Sequence, residues 1–183
     1  MTASGEMTRV GFEDREAARQ VAFARLANTH LDSAYRLATF ILAGDHAEAE
    51  DAVQDAALRA WEHFDDLRDV TRFEAWFTRI VVNACRDRIG ARRLRLIGTT
   101  DGEGGVAPDQ VGQLVDADAL TRALLTLSPE HRVVVALRYL GDHSIAEIGA
   151  RTGERTGTVR SRLHYALRAL RAAIDAEMRE VSR

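Results

Sequence analysis

The stretch from Ile97 to Val115, IGTTDGEGGVAPDQVGQLV, is crowded with Gly and acids and carries one of the two Pro in the chain. Such a segment neither sustains a helix nor alternates like a strand, so residues 96–115 read as a flexible linker. It divides the 183 residues into two lengths, each big enough for a small module with its own core. On both sides apolar residues recur at helical spacing, and abundant Ala, Leu, Arg and Glu favour helix over strand. The fold class is therefore all-α: two small helical domains, the first of three to four helices and the second of four.

The first module is expected over residues 21–95, after a polar and loosely ordered N-terminal tail, residues 1–20. Phe23, Leu26, Leu31, Ala34, Tyr35 and Ala38 mark its first helix. Between His46 and Phe64 the stripe Ala49, Ala52, Val53, Ala56, Ala57, Ala60, Trp61 and Phe64 is flanked by Glu50, Asp51, Gln54, Asp55 and Glu62. Phe73, Trp76, Phe77, Ile80, Val81 and Ala84 then repeat at i, i+3, i+4, i+7, with Trp76 on the core side. The end of that helix turns basic.

The second module is expected over residues 116–175, followed by a C-terminal tail, residues 176–183. Leu120, Leu124 and Leu127 make a short helix that stops at Ser128-Pro129, where Ser128 can cap the next helix and Pro129 can occupy its first turn. A stop at Gly141-Asp142 follows. Ser144 with Glu147 three residues on has the form of a capping box. Two helices, the second beginning at Thr156, then flank a turn at Thr152-Gly153, the spacing of a helix-turn-helix. Ile148 and Val159 are placed to pack these helices together, Gly149 to let them approach, and Gly153 to take a positive φ. The second helix presents Arg155, Thr156, Thr158, Arg160, Ser161 and Arg162 early, where the motif faces a DNA groove. A plain helical hairpin with a solvated basic face would not need apolar spacing, glycine placement and charge to agree in this way.

Several function classes have no support. No apolar run approaches the ~20 residues of a membrane span, and MTASGEMTRVGFEDRE lacks the apolar stretch of a secretory signal, so a cytoplasmic protein without membrane insertion is expected. Cys85, the single cysteine, reads as a buried, inert thiol. The six His lack metal-ligand spacing, and the acids from Asp45 to Asp51 lack the Gly and spacing of a calcium loop. Gly102, Gly104 and Gly105 lack the strand-turn-helix setting of a phosphate loop. No catalytic constellation stands out, so no enzyme, no metal, no cofactor and no small-molecule substrate are expected.

The net charge of −3 conceals strong segregation. From Asp45 to Asp69 nine acids face two Arg, a balance of −7; Arg86 to Arg95 carries +4, and Arg151 to Arg171 carries +5 with Glu154 its one acid. Every basic residue is Arg, whose planar guanidinium suits phosphate. Blocks of this kind point to one partner for the acidic face and a polyanion for the basic ones.

The segments SIAEIG and GTVRSRLHYALRAL resemble the region 4 helix-turn-helix of bacterial RNA polymerase sigma factors, and LSPEHRVVVALRYL resembles the helix leading into it. AEDAVQDAALRAW and FEAWFTRIVVNACRDRIGARR resemble region 2. The order, with a short linker between, is similar to the extracytoplasmic-function (ECF) group and covers about Phe23 to Ile174. The resemblance implies a transcription initiation factor with core RNA polymerase and promoter DNA as partners, and an anti-sigma factor as a further one. It implies that Asp51, Gln54, Asp55 and Leu58 dock on polymerase. The loop from about Asp65 to Arg72, with Arg72, Asn83, Arg86, Arg88 and Arg92, would read and help melt the −10 element by capturing an unstacked base. Arg155, Thr156, Thr158, Arg160, Ser161, Arg162, His164 and Tyr165 would read the −35 element. Many family members carry a basic residue where this chain has Tyr165, which cannot make the bidentate guanine contact of Arg. A ligand-sensing helix-turn-helix regulator is the rival reading; it would bind duplex DNA without polymerase.

Overall fold

The computed structural model describes residues 3–97 and 119–181, and every regular element among them is helical. The first module comprises α1 (Ala3–Ile41), α2 (His46–Glu62) and α3 (Phe73–Ile97), with two short 3-10 turns, Phe64–Asp66 and Val70–Arg72, between α2 and α3. The second comprises α4 (Ala119–Leu125), α5 (Pro129–Tyr139), α6 (Ile145–Thr152) and α7 (Thr156–Val181). The linker expected over 96–115 falls outside the described residues from 98 onward.

Alanine sets the geometry of the first module. Ala49, Ala52, Ala56 and Ala60 of α2 have no exposed surface and recur every three or four residues, so α1 and α3 approach the α2 backbone closely. Larger side chains from the partners fill the space, among them Ile41, Phe77, Val81 and Val82. Each fully buried side chain of that size contributes about 1.5–3 kcal/mol. At one end Phe23 meets Trp61, Phe64 and Phe73 edge-on, with ring centroids 5.3, 5.3 and 6.1 Å away. That cluster ties α1 to both ends of the α2–α3 loop, and Trp76 packs beside it, 5.8 Å from Phe73.

The N-terminal segment departs from expectation. Residues 1–20 were to be loosely ordered, yet α1 begins at Ala3. Near the end of that segment the helix is tied down by Arg19. Its guanidinium lies 3.8 Å over the Trp61 ring and donates to the Trp61 carbonyl at 2.7 Å and to Asp65 at 3.0 Å. A cation over an aromatic face with a charge-assisted hydrogen bond holds this turn of helix to the module. The C-terminal tail is likewise shorter than expected, because α7 continues to Val181.

In the second module the expected stops and caps are present. Ser128 accepts the His131 amide at 3.3 Å, with Pro129 in the first turn of α5. Val133, Val134, Leu137, Ile148 and Val159 are fully buried. The two modules touch: α5 lies against α1 and α3, and α6 against α3. Their buried apolar residues form one continuous cluster. At the α1–α2 turn Gly44 (φ 83°) fits where no side chain could, since a Cβ there would stand 2.9 Å from Thr121 Oγ1 of α4.

Cys85 is fully buried, and burial pushes its thiol up to about 12. Ellman's reagent should therefore leave the native chain unlabelled at pH 8 and label it stoichiometrically in denaturant. Rapid native labelling would show a thiol accessible to redox chemistry.

Candidate functional surfaces

Because the alanine stripe of α2 faces inward, the opposite side of that helix is turned out. Asp51, Gln54 and Leu58 are exposed and Asp55 half-buried, at positions i, i+3, i+4 and i+7, so the four residues expected to dock on polymerase form one strip. Leu58 is 63% exposed, an apolar side chain in an acidic field with no core role.

The acids of this strip are not all free. Arg88 of α3 donates to Glu48 at 2.8 Å, to Asp51 at 3.2 Å and to Asp55 at 2.8 Å. Burial disfavours its charge, but the hydrogen bonds to Glu48 and Asp55 outweigh that and hold it protonated above the ordinary guanidinium range. Arg59 pairs with Asp87 at 2.8 Å and Arg92 with Asp45 at 3.4 Å, so α2 and α3 are laced along one side. Among the residues expected at the −10 element, Arg88 and Arg92 thus have protein partners. Arg86 reaches Glu154 of the other module at 3.3 Å. Arg72 and Asn83 are exposed. The loop from Asp65 to Arg72 is ordered locally: Asp69 accepts the Thr71 hydroxyl at 2.6 Å and its amide at 3.0 Å, and these bonds hold its carboxyl below the usual range.

The helix-turn-helix is built as its spacing predicts. Ser144 and Glu147 exchange side-chain and backbone hydrogen bonds in a complete capping box. Gly153 closes α6 in the left-handed region at φ 74°, and the Glu154 amide donates to Gly149 carbonyl at 3.0 Å. A Cβ on Gly149 would stand 2.7 Å from the Glu154 carbonyl oxygen, so this glycine sets the helix approach. Ile148 and Val159 lock the two helices from within. Arg155, just before α7, and Thr156, Thr158, Arg160, Ser161, His164 and Tyr165 on it are exposed, and Ser161 donates its hydroxyl to the Gly157 carbonyl at 3.1 Å. Tyr165 is 59% exposed, and its ring meets His164 edge-on at 5.5 Å. Arg162 differs, being half-buried and paired with Glu154. Beside this face, Arg138, Ser144 and Ala146 line a shallow groove with Thr156 and Arg160, at the N-terminus of α6.

Sequence reasoning missed three participants: Arg19, Glu48 and Glu154. Glu154 alone left a mark, as the single acid in the basic block from Arg151 to Arg171.

Two helical modules, one with an exposed acidic strip and the other with an arginine-flanked helix-turn-helix, define a two-region transcription factor. The Sigma-70 region 2 family matches residues 26–95, and the Sigma-70, region 4 family matches residues 123–172. The chain is 40% identical over 165 residues to the ECF RNA polymerase sigma factor SigL of Mycobacterium tuberculosis, covering 87% of this chain and 93% of SigL. It is 30% identical over 166 residues to SigW of Bacillus subtilis, covering 83% and 88%. It therefore belongs to the ECF group of RNA polymerase sigma factors. Among solved structures, CnrH in complex with the cytosolic domain of CnrY superposes with a TM-score of 0.62 at 28% identity, over 86% of this chain and 90% of that one. The sigma factor RpoE bound to the anti-sigma factor NepR of Bartonella quintana shares the fold at a TM-score of 0.59 and 24% identity, over 89% and 98%. No described helix is long and apolar enough to cross a membrane.

Gly149→Ala should destabilise the second module by about 1–3 kcal/mol, since the backbone of the turn must move. Urea denaturation followed by circular dichroism checks this, and an unchanged midpoint would show that the turn accommodates a methyl group.

Proposed function

We propose that this sigma factor docks on core RNA polymerase through the α2 strip of Asp51, Gln54, Asp55 and Leu58. On this reading it captures −10 DNA at the α2–α3 loop with Arg72 and Asn83, and reads −35 DNA with α7. The observation that carries this reading is the pairing, on one chain, of an outward acidic strip on α2 with an exposed helix-turn-helix face whose Arg155 and Arg160 have no carboxylate partner among the described residues. Phosphodiester chemistry belongs to the polymerase; this chain contributes binding and strand separation.

Each contact follows from the chemistry of the exposed groups. Carboxylates and an amide around Leu58 offer a polar rim about an apolar anchor, the arrangement in which protein interfaces concentrate their binding energy. Arg88 acts from beneath as a clamp that fixes Asp51 and Asp55 in place, so its contribution to promoter binding is indirect. Arg160 and Arg138 flank the first turn of α6, where backbone amides and two guanidinium groups together suit a DNA phosphate. Ser161, His164 and Tyr165 lie where base edges would be read. Tyr165 favours contact with a thymine methyl or a phosphate over guanine. The protein proposed to hold the free factor in check is an anti-sigma factor covering the same α2 and α7 surfaces. The chain is proposed to act in the cytoplasm, where its polymerase works.

In vitro transcription with core polymerase on a genomic promoter pool is the direct test: discrete transcripts are expected only when both are present. Duplex binding without any effect on polymerase would favour the ligand-sensing regulator. Leu58→Asp should weaken core-enzyme binding by roughly tenfold or more, about 1.4 kcal/mol, with no loss of thermal stability. That variant separates docking from the Arg88 clamp, which Asp51 and Asp55 substitutions disturb. Arg160→Ala should cost ~1–3 kcal/mol with altered promoter preference if it reads a base; a uniform loss over all promoters would assign it to phosphate.

A further inference from the structure

We propose that Arg19 of α1 is a positioning residue for −10 recognition, holding the first turn of the α2–α3 loop in the conformation that meets single-stranded DNA. The proposal rests on the reading of that loop as the −10 element.

Helix α2 ends beside this side chain. The last turn of a helix leaves carbonyls without an intrahelical partner and carries partial negative charge. Trp61 lies in that turn, and its carbonyl accepts Arg19 Nη2 at 2.7 Å. Arg19 Nε donates to Asp65 Oδ1 at 3.0 Å, inside the 3-10 turn Phe64–Asp66 that opens the loop. The guanidinium carbon stands 3.8 Å over the Trp61 ring, so the same group also stacks on the helix it caps. One side chain thus grips the end of α2 by backbone and ring, and the start of the loop by a carboxylate. The Arg19 side chain is 20% exposed and that of Asp65 77%, so the anchor is sheltered while the turn it holds faces solvent.

The two turns of the loop differ in how they are held. The second, Val70–Arg72, has its own cap, because Asp69 accepts the Thr71 amide. The first has none: His63, at its N-cap position, makes no side-chain cap hydrogen bond. Its order comes from α1 instead. Phe23 and His30 follow Arg19 at i+4 and i+11, on the same face of that helix. Phe23 meets Phe64 in the first turn and Phe73 just after the second, and His30 stacks on Phe73 with ring centroids 5.8 Å apart. Both ends of the loop are therefore laid against one row of α1, with Arg19 supplying the polar contacts. A loop held in this way loses less conformational freedom when it captures a base than one that must order on contact.

The test uses holoenzyme assembled from core polymerase and the full chain. Fluorescence anisotropy reports binding of a single-stranded oligonucleotide carrying the −10 segment of a promoter recovered from the transcription pool, and of a duplex carrying only its −35 segment. Arg19→Ala should weaken the single strand by about tenfold, leaving −35 duplex binding, core-enzyme affinity and the melting temperature of the free chain unchanged. Arg19→Lys should not rescue it, since an ammonium keeps the charge but lacks the planar fork. Asp65→Ala removes negative charge from beside the strand, which by charge alone would tighten binding; positioning requires that it weaken binding. Adding Asp65→Ala to Arg19→Ala should then cost little more, because both substitutions remove one interaction. A uniform loss in all the measurements overturns the proposal by assigning Arg19 to stability, and rescue by Lys overturns it by assigning the effect to charge. Tighter binding by Asp65→Ala, or additive losses in the double variant, overturns the coupling between the two residues. Arg72→Ala and Asn83→Ala separate the underlying reading: losses there with none in Arg19→Ala keep the loop as the −10 element and overturn the positioning, whereas no loss in any of the three overturns both.

Discussion

The close approach of α1 and α3 to the alanine face of α2 is the constraint on which the rest of the first module depends. A helix whose inward positions are Ala49, Ala52, Ala56 and Ala60 can be packed at short distance only in one rotation about its axis. That rotation decides what solvent sees. It turns Asp51, Gln54 and Leu58 outward, brings Glu48 and Asp55 within reach of Arg88, and sets Trp61 under the Arg19 guanidinium. A larger residue at any of the four alanines would push α3 away and disturb the acidic strip and the clamp behind it together. The acidic strip and the core are therefore two sides of one packing solution.

Long-range ion pairing then redistributes the charge that the sequence lays out in blocks. The basic stretch from Arg86 to Arg95 counts as +4, yet Arg86, Arg88, Arg92 and Arg95 all have carboxylate partners in the fold. Little of that block's charge is left to attract a polyanion. Arg155, just before α7, and Arg160 on it are exposed and have no such partner among the described residues, so unpaired positive charge is concentrated in the second module.

What was legible in the sequence is what local chemistry decides. The helix stripes, the caps at Ser128 and Ser144, the turn at Gly153 and the buried pair Ile148 and Val159 follow from spacing and from the conformational range of single residues. The anchoring of α1 around Arg19 does not, because that side chain binds groups on α2 and the following loop, 42 and 46 positions away. The ion pairs of Arg88 are invisible to spacing for the same reason: its three carboxylates lie 33 to 40 positions upstream. A charge block shows its sign in the sequence; which of its members remain free is a property of the fold.

Glu154 illustrates how much one acid can matter in a basic block. Within the second module it neutralises Arg162 and leaves the outer arginines of α7 to face DNA. Across the seam it meets Arg86, so the charge that orders the recognition helix also joins it to α3. Both contacts use the same oxygen, while the second oxygen is buried without a partner. One carboxylate thereby ties α3 to α7 through partners 68 and 8 positions away, a junction that no local spacing could reveal.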